Sequence, residues 1–416
     1  MHMVNDELKE ELIIFNSKPL PDLITRDVSI PDTKDIVAIT GPRRAGKTYF
    51  MFQTIKEFLG QGIKRENLLY VNFDNVIFRK YTMRDIIKKH IEIYNPDGSI
   101  YLFIDEVHGL RDYQAWLRTL HDEGYRIFIT GSSSELLLKN ISRELRGRYV
   151  SRTVLPFTFK EFLRAKGVIP DGTYTSAGKI MAYISEYLQY GGYPEVIFLK
   201  SEYDKIEKLT TILETTFYRD LVEMHGIREN EIAKQMLYHI LSNASNKISI
   251  TGIHNVFRTM GINASKRTLW KYYNMMRDSF LFLDVELYTL SRKKMLFSPK
   301  KVYSLDLGIP NVITKMGIGN LMENAVFLQL YRKHGDKIHY YMTGKGFEVD
   351  FVAGDRGNGR LIEVSYKSDP DHLDRLVGAS NELGIDDLTL VTWEEIGTIK
   401  KSGKEIHLVP LAEFLQ

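Results

Sequence analysis

Gly41-Pro42-Arg43-Arg44-Ala45-Gly46-Lys47-Thr48 is the stretch from which the rest of this sequence is read. It follows the apolar run Ile36-Val37-Ala38-Ile39-Thr40 and precedes Tyr49-Phe50-Met51-Phe52-Gln53-Thr54-Ile55. Strand, glycine-rich turn and helix stand in that order, and the G-x-x-x-x-G-K-[ST] spacing is complete. Glycines let backbone N–H groups curl around a β-phosphate, and the helix N-terminus adds the positive end of its dipole. Lys47 reaches the β- and γ-phosphates, and the Thr48 hydroxyl can ligate Mg²⁺. The candidate nucleotide-contacting set is Gly41, Pro42, Arg43, Arg44, Ala45, Gly46, Lys47, Thr48 and Tyr49.

Downstream, Asn67-Leu68-Leu69-Tyr70-Val71-Asn72-Phe73 reads as a second buried strand and Arg84 to Ile93 as a helix. Tyr101-Leu102-Phe103-Ile104 then runs into Asp105-Glu106, an apolar strand ending in two carboxylates. After a complete P-loop this is the Walker B pattern, with Asp105 on Mg²⁺ and Glu106 orienting or activating water. A helix over Trp116 to Glu123 and the strand Arg126 to Thr130 follow, leading into Gly131-Ser132-Ser133-Ser134. A serine there is either a sensor of the γ-phosphate or an ordinary helix N-cap. Arg143, Arg146 and Arg148 come next. Arg146 or Arg148 could act on a neighbouring subunit's γ-phosphate, or the three could form a solvated basic face. No Asn-Lys-x-Asp motif is present, which favours ATP over GTP. The strand–helix alternation is that of a doubly wound parallel sheet.

Composition sets the outer bounds. At 416 residues the chain needs two to four domains, and 44% hydrophobic with 26% charged residues is typical of globular proteins. A net charge of +3 says nothing about nucleic acid, so local clusters must carry that question. The absence of cysteine excludes disulfides, cysteine-ligated zinc and thiol catalysis. No apolar run approaches a membrane span, and the acidic amphipathic opening Asp6 to Leu12 is unlike a signal peptide, so a cytoplasmic location is expected. The eleven histidines show no metal-ligand spacing.

Residues 161–230 read as helices beside the nucleotide site, with Gly191-Gly192 as a hinge or a packed turn. From Glu231 the order is helix (Ile232–Ala244), helix (Ile253–Met260), turn, helix (Lys266–Arg277), strand (Leu281–Leu287), the order of a winged helix. Lys266, Arg267 and Lys271 on the third helix form a candidate phosphate-contacting surface with Arg292, Lys293, Lys294, Lys300 and Lys301 of an expected wing. The same fold also serves protein packing.

Gly41 to Thr48, Leu102 to Glu106, Ile129 to Ser133, Leu145-Arg146-Gly147-Arg148-Tyr149 and Leu155-Pro156-Phe157 with Glu161-Phe162-Leu163 resemble archaeal and bacterial AAA-type ATPases of the STAND-related group. Tyr190 to Glu195 and Thr216 to Asp220 resemble that group's helical region. The resemblance implies an α/β multidomain chain: a RecA/AAA-like parallel sheet with its P-loop, a helical lid, a winged helix and a restriction-endonuclease-like C-terminal domain of the DUF4143 or DUF234 kind. Expected boundaries are 1–35 for an N-terminal lead, 36–160 for the ATPase core, 161–230 for the lid, 231–300 for the winged helix and 301–416 for the last domain. In that domain, Glu323 on a helix, Asp350 on one strand and Glu363 on the next resemble the PD-(D/E)xK nuclease core, in which carboxylates bind Mg²⁺. By that likeness Asp350 and Glu363 are metal ligands and Glu323 a helper. The expected Glu-x-Lys is absent: Glu363-Val364-Ser365 stands there, and Lys367 comes two residues late. Strand alternation would put Lys367 on the face of Glu363, about 6–7 Å beyond the expected lysine position. An active nuclease and a degenerate fold that binds DNA or partners both remain open.

The expected function is Mg²⁺-dependent ATP hydrolysis coupled to action on duplex or branched DNA, in a homo-oligomer. The rival expectation is an ATP-binding switch whose C-terminal domains recruit a protein partner.

Overall fold

The computed structural model describes residues 2–131, 147–169, 174–355 and 358–416, which form two compact units meeting at Leu155/Pro156. The first is built on a five-stranded parallel sheet of order β2-β3-β4-β1-β5, with β1 Ile36–Thr40, β2 Leu68–Asn72, β3 Tyr101–Asp105, β4 Arg126–Thr130 and β5 Tyr149–Thr153. A parallel sheet covered on both faces needs strands apolar on both sides, hence runs such as the fully buried Ile36-Val37-Ala38-Ile39. On one face Phe103 stacks on Phe128 with ring centroids 4.7 Å apart, and Phe58 from the helix Lys47–Gly60 packs edge-on against both. On the other, Leu8 and Leu12 of the helix His2–Ser17 join Leu69, Val71, Ile86 and Ile104. The N-terminal lead is thus part of the core, because its two leucines one helical turn apart bury one face.

The second unit begins with helices Phe159–Ala165, Tyr174–Tyr190 and Glu202–Thr215, the last continuing as π-type turns over Thr216–Glu223. Helices Asn230–Ser242, Ile250–Thr259 and Lys266–Asp278 follow. Ser249 and Ser265 cap the second and third of these by accepting from Gly252 N and Thr268 N. One apolar cluster runs from Tyr190 through Leu237, Phe257 and Leu269 to Ile309.

A nine-stranded sheet completes the unit in the order β13-β14-β12-β11-β10-β9-β7-β8-β6. Its strands are β6 Asn246–Ile248, β7 Leu283–Leu287, β8 Lys300–Tyr303, β9 Ile338–Met342, β10 Glu348–Asp355, β11 Asn358–Val364, β12 Leu388–Thr392, β13 Gly397–Lys401 and β14 Lys404–Pro410. The antiparallel β7–β8 pair joins the rest through parallel pairing of Glu286 and Leu287 with His339 and Tyr340 on β9. The expected boundary at 300/301 therefore falls inside β8, because the hairpin's outer edge is paired rather than free.

One further expectation is corrected, and one open alternative finds an answer. The segment read as a wing, Ser291 to Lys301, is the short helix Arg292–Phe297 followed by the start of β8. Gly191-Gly192 is a packed turn: a Cβ on Gly191 would lie 1.9 Å from Asp306 Oδ1, and Gly192 N donates to Asp306 Oδ2 at 2.7 Å. Burial raises the buried Asp306 carboxyl to about 7, although the N–H groups of Gly192 and Gly308 favour its charged form. Among the described residues no helix is long and apolar enough to cross a membrane.

Candidate functional site

The P-loop turns between β1 and the helix Lys47–Gly60. Gly41 has φ 138° and Gly46 φ 95°, conformations that side chains disfavour. At Gly41 space forbids anything larger as well, since a Cβ would lie 2.0 Å from Val154 O. Lys47, the first helical residue, is buried, and its Nζ donates to the loop's own carbonyls, Gly41 O at 3.0 Å and Pro42 O at 2.9 Å. Pro42 and Ala45 are buried, while Arg44 and Tyr49 are exposed.

Parallel pairing sets the acidic groups beside the loop. The register places Asp105 at the end of β3, next to Asn72 of β2. Thr48 Oγ1 donates to Asp105 Oδ2 at 2.8 Å, and the Tyr70 hydroxyl donates to the same oxygen at 2.9 Å. Asp105 Oδ1 accepts from Thr130 Oγ1, which in turn accepts from Glu106 N at 2.9 Å. Asp105 is completely buried with both oxygens held.

Glu106 has φ 52°, a left-handed conformation that turns the chain out of β3 into the short turn Val107–Gly109. Its Oε2 is buried without a hydrogen bond among the described residues, although His108 Nδ1 lies 3.3 Å away. Burial depresses the basicity of His108. Burial also raises the Glu106 carboxyl, to about 7; Lys47 and Arg43 oppose the rise and Asp105 and Asp74 add to it. Burial and the Asp105 charge push the Tyr70 phenol up, which keeps it a neutral donor. A cradle that a Cβ would fill, a buried ammonium resting on carbonyls, a hydroxyl–carboxylate pair and an orphaned carboxylate oxygen together suit a polyphosphate with a divalent cation.

Three contributors escaped sequence reading. Thr130 ends β4 and had only its strand-end position as a signal. Tyr70 looked like an ordinary strand aromatic. Arg26 is buried in the N-terminal lead, with Nη1 donating to Ala45 O at 2.9 Å and Nη2 to Leu155 O at 2.6 Å. It ties the P-loop to the end of the same unit. The serine sensor candidates Ser132 to Ser134 and the finger candidate Arg146 lie outside the described residues. Arg148 is half-exposed and pairs with Asp122.

The basic surface is only partly as expected. Lys266, Arg267 and Lys271 are exposed along one helix, and Arg292, Lys293 and Lys294 are exposed on another. Lys300 instead pairs with Glu286 at 2.8 Å, and Lys301 is buried. Alternation along β8 turns these neighbours to opposite faces.

The nuclease-like acids also gather differently. Glu323, from the helix Ile318–His334, and Asp350, from β10, do come together, but around Lys301. Burial and the Asp350 charge raise the Glu323 carboxyl to about 8, against the opposing effect of Lys301. Burial, then Asp350, raises the Glu363 carboxyl well above the usual range. Burial works against the Lys301 charge, but Asp350, Glu323 and Glu348 outweigh it, so the ammonium persists. Lys367 does not belong to this group. β11 ends at Val364, Ser365 Oγ bonds the Lys367 carbonyl in a turn, and the Lys367 side chain is exposed. The alternation that would have aligned it with Glu363 stops three residues short.

Residues 33–163 match the AAA domain family. Residues 181–318 match a domain of unknown function, DUF8612, and residues 318–414 another, DUF4143. The chain is 31% identical over 427 aligned residues to uncharacterized protein MJ1544 of Methanocaldococcus jannaschii, covering 98% of this chain and 94% of that protein. It is 29% identical over 346 residues to an uncharacterized protein of Haemophilus influenzae, covering 82% of this chain and 84% of the relative. Among solved structures, the Walker-type ATPase PABY2304 of Pyrococcus abyssi aligns with 74% of this chain and 94% of its own, at 13% identity and a TM-score of 0.42. With the near full-length match to MJ1544, the chain belongs to a family of AAA-type P-loop ATPases that carry a DUF4143 C-terminal domain.

Proposed function

We propose that this chain binds ATP with Mg²⁺, hydrolyses it, and couples the cycle to DNA. The observation that carries the nucleotide reading is the meeting of Thr48 Oγ1 and Asp105 Oδ2 at 2.8 Å beside a partly buried Glu106 whose Oε2 has no hydrogen bond among the described residues. Thr48 and Asp105 would hold the metal, and Lys47 with the loop N–H groups would hold the phosphates. Bound Mg·ATP supplies the electrophilic phosphoryl group and screens its charge. The chain's own groups do the rest. Glu106, raised to about 7, takes a proton from water when ionised. Tyr70 and Thr130 fix the Asp105 carboxylate, and Arg26 steadies the loop. In a homo-oligomer, Arg146 or Arg148 of a neighbouring copy would add positive charge to the transition state.

The DNA reading rests on the exposed Lys266, Arg267 and Lys271, with half-exposed Trp270 among them. Its test is the ATP hydrolysis rate with Mg²⁺, with and without duplex, single-stranded and branched DNA. Stimulation by one form, lost with salt and weakened in Lys271→Ala, is the expected result. A specific observation favours a second reading, the ATP-binding switch that recruits a protein. Leu290, Leu296 and Phe297 are exposed around the short basic helix, and Lys300 and Lys301 are spent on acids. A rate unmoved by every DNA form would decide for that reading.

A further inference from the structure

The PD-(D/E)xK likeness of the C-terminal strands implies a divalent cation held by carboxylates, and the arrangement of this chain does not fit one. Lys301 Nζ lies 2.8 Å from Glu323 Oε1, 2.7 Å from Glu348 Oε1 and 2.9 Å from Asp350 Oδ1. An ammonium has three donors, so three carboxylates exhaust it. Part of the remaining bonding capacity is also taken up. Glu323 Oε1 accepts from the Tyr303 hydroxyl at 2.7 Å, Glu348 Oε2 lies 2.7 Å from Lys247 Nζ, and Asp350 Oδ2 accepts from Val364 N at 3.0 Å. Glu363 Oε1 is buried and has no hydrogen bond among the described residues. Among those residues no group of three or more His, Cys, Asp or Glu is disposed to hold a metal ion.

Topology makes the contact deliberate. In sheet order β8 is separated from β10 by β7 and β9. Three steps of ~4.8 Å in a flat sheet would put the strands ~14 Å apart, beyond the span of a lysine. The sheet must curl to bring Lys301 onto Asp350. The lysine side chain is then 3% exposed, out of reach of any phosphodiester.

We infer that Lys301 is a built-in cation: its ammonium stands where a divalent ion would sit and closes the carboxylate cluster to metal. Mg²⁺ or Mn²⁺ would need several oxygens at once in near-octahedral geometry, and the ammonium already engages one oxygen of each of three acids. Entry would require expelling a buried lysine. This inference stands independently of the nucleotide site and assigns the C-terminal domain a metal-independent role.

The test titrates the full chain, free of nucleotide, with Mn²⁺, and counts free Mn²⁺ by electron paramagnetic resonance. Wild type and Asp350→Asn are expected to bind equal numbers of ions. Lys301→Ala, which leaves room for a hydrated ion, is expected to bind one more, and Lys301→Ala/Asp350→Asn to lose it again. An ion bound by wild type but not by Asp350→Asn would overturn the inference. So would a folded Lys301→Ala that gains none. Should Lys301→Ala fail to fold, wild type against Asp350→Asn and Glu363→Gln still decides, since a metal held by the cluster would disappear in either variant.

Discussion

Lys47 and Lys301 are both buried, and their charges are met in opposite ways. Lys47 donates to two backbone carbonyls of the loop that it closes. Lys301 is clasped by three carboxylates. A lysine resting on dipoles keeps its net charge for an incoming anion, and phosphate oxygens can replace carbonyls as acceptors at little cost. A lysine neutralised by anions has nothing left to offer, and holds the fold instead. On the readings proposed above, one residue type thus marks a binding site in the first unit and a closed site in the second.

Replacing each lysine by methionine sharpens this contrast most. Lys301→Met leaves the largely buried Glu323 and Asp350 without their counter-charge, and about 3–5 kcal/mol of stability should be lost in urea unfolding. Lys47→Met leaves the Gly41 and Pro42 carbonyls without this donor, for a loss of about 1–3 kcal/mol. Equal losses would break the comparison.

Glu106 provides the next effect. Its folded pKa, about 7, lies above the ordinary 4.5, so the protonated form is the one favoured by folding. The resulting stability is present below about 4.5 and is lost as pH rises toward 7, on the order of 3 kcal/mol at ~1.4 kcal/mol per unit. Unfolding at pH 5 and pH 8 should therefore show wild type losing ground to Glu106→Gln. Turnover should move the other way, rising through pH 7 in wild type as the base ionises, and staying low and flat in Glu106→Gln. A wild-type rate that falls over that range would remove Glu106 as the base.

The smallest effect belongs to the supports of Asp105. Tyr70→Phe removes one of its hydrogen bonds, worth about 1 kcal/mol, so turnover should fall about fivefold with folding little changed. Thr130→Val should cost more, because Glu106 N loses its acceptor as well. No change in either variant would show that Asp105 is held by its backbone alone.

Why some of this was legible and some not follows from the physics of each contact. β1, the loop and β3 were readable because strands buried on both faces give unbroken apolar runs, and because phosphate chemistry demands fixed residue types in a short span. Arg26 was not, since its acceptors are the backbone carbonyls of Ala45 and Leu155, which any residue provides. Lys301 beside Lys300 read as part of a phosphate-contacting wing, whereas β8 sends the two to opposite faces and the curl of the sheet decides what each meets. Lys367 was misplaced because β11 was read past Val364, where Ser365 begins a turn through its own side chain. The acids Glu323, Asp350 and Glu363 were found as residues, but the cation that Glu323 and Asp350 hold together with Glu348 comes from a strand that the pattern of the C-terminal domain did not include.

Phosphate release from Mg·ATP by wild type and Lys47→Ala, with circular dichroism melts of both, tests the central claim most directly. Removing the ammonium should lower turnover by at least ~10²-fold, the scale of losing one group that stabilises transition-state charge, while the variant still melts cooperatively. A folded Lys47→Ala that turns over ATP at the wild-type rate would contradict the assignment of the loop, and with it the contrast between the two lysines.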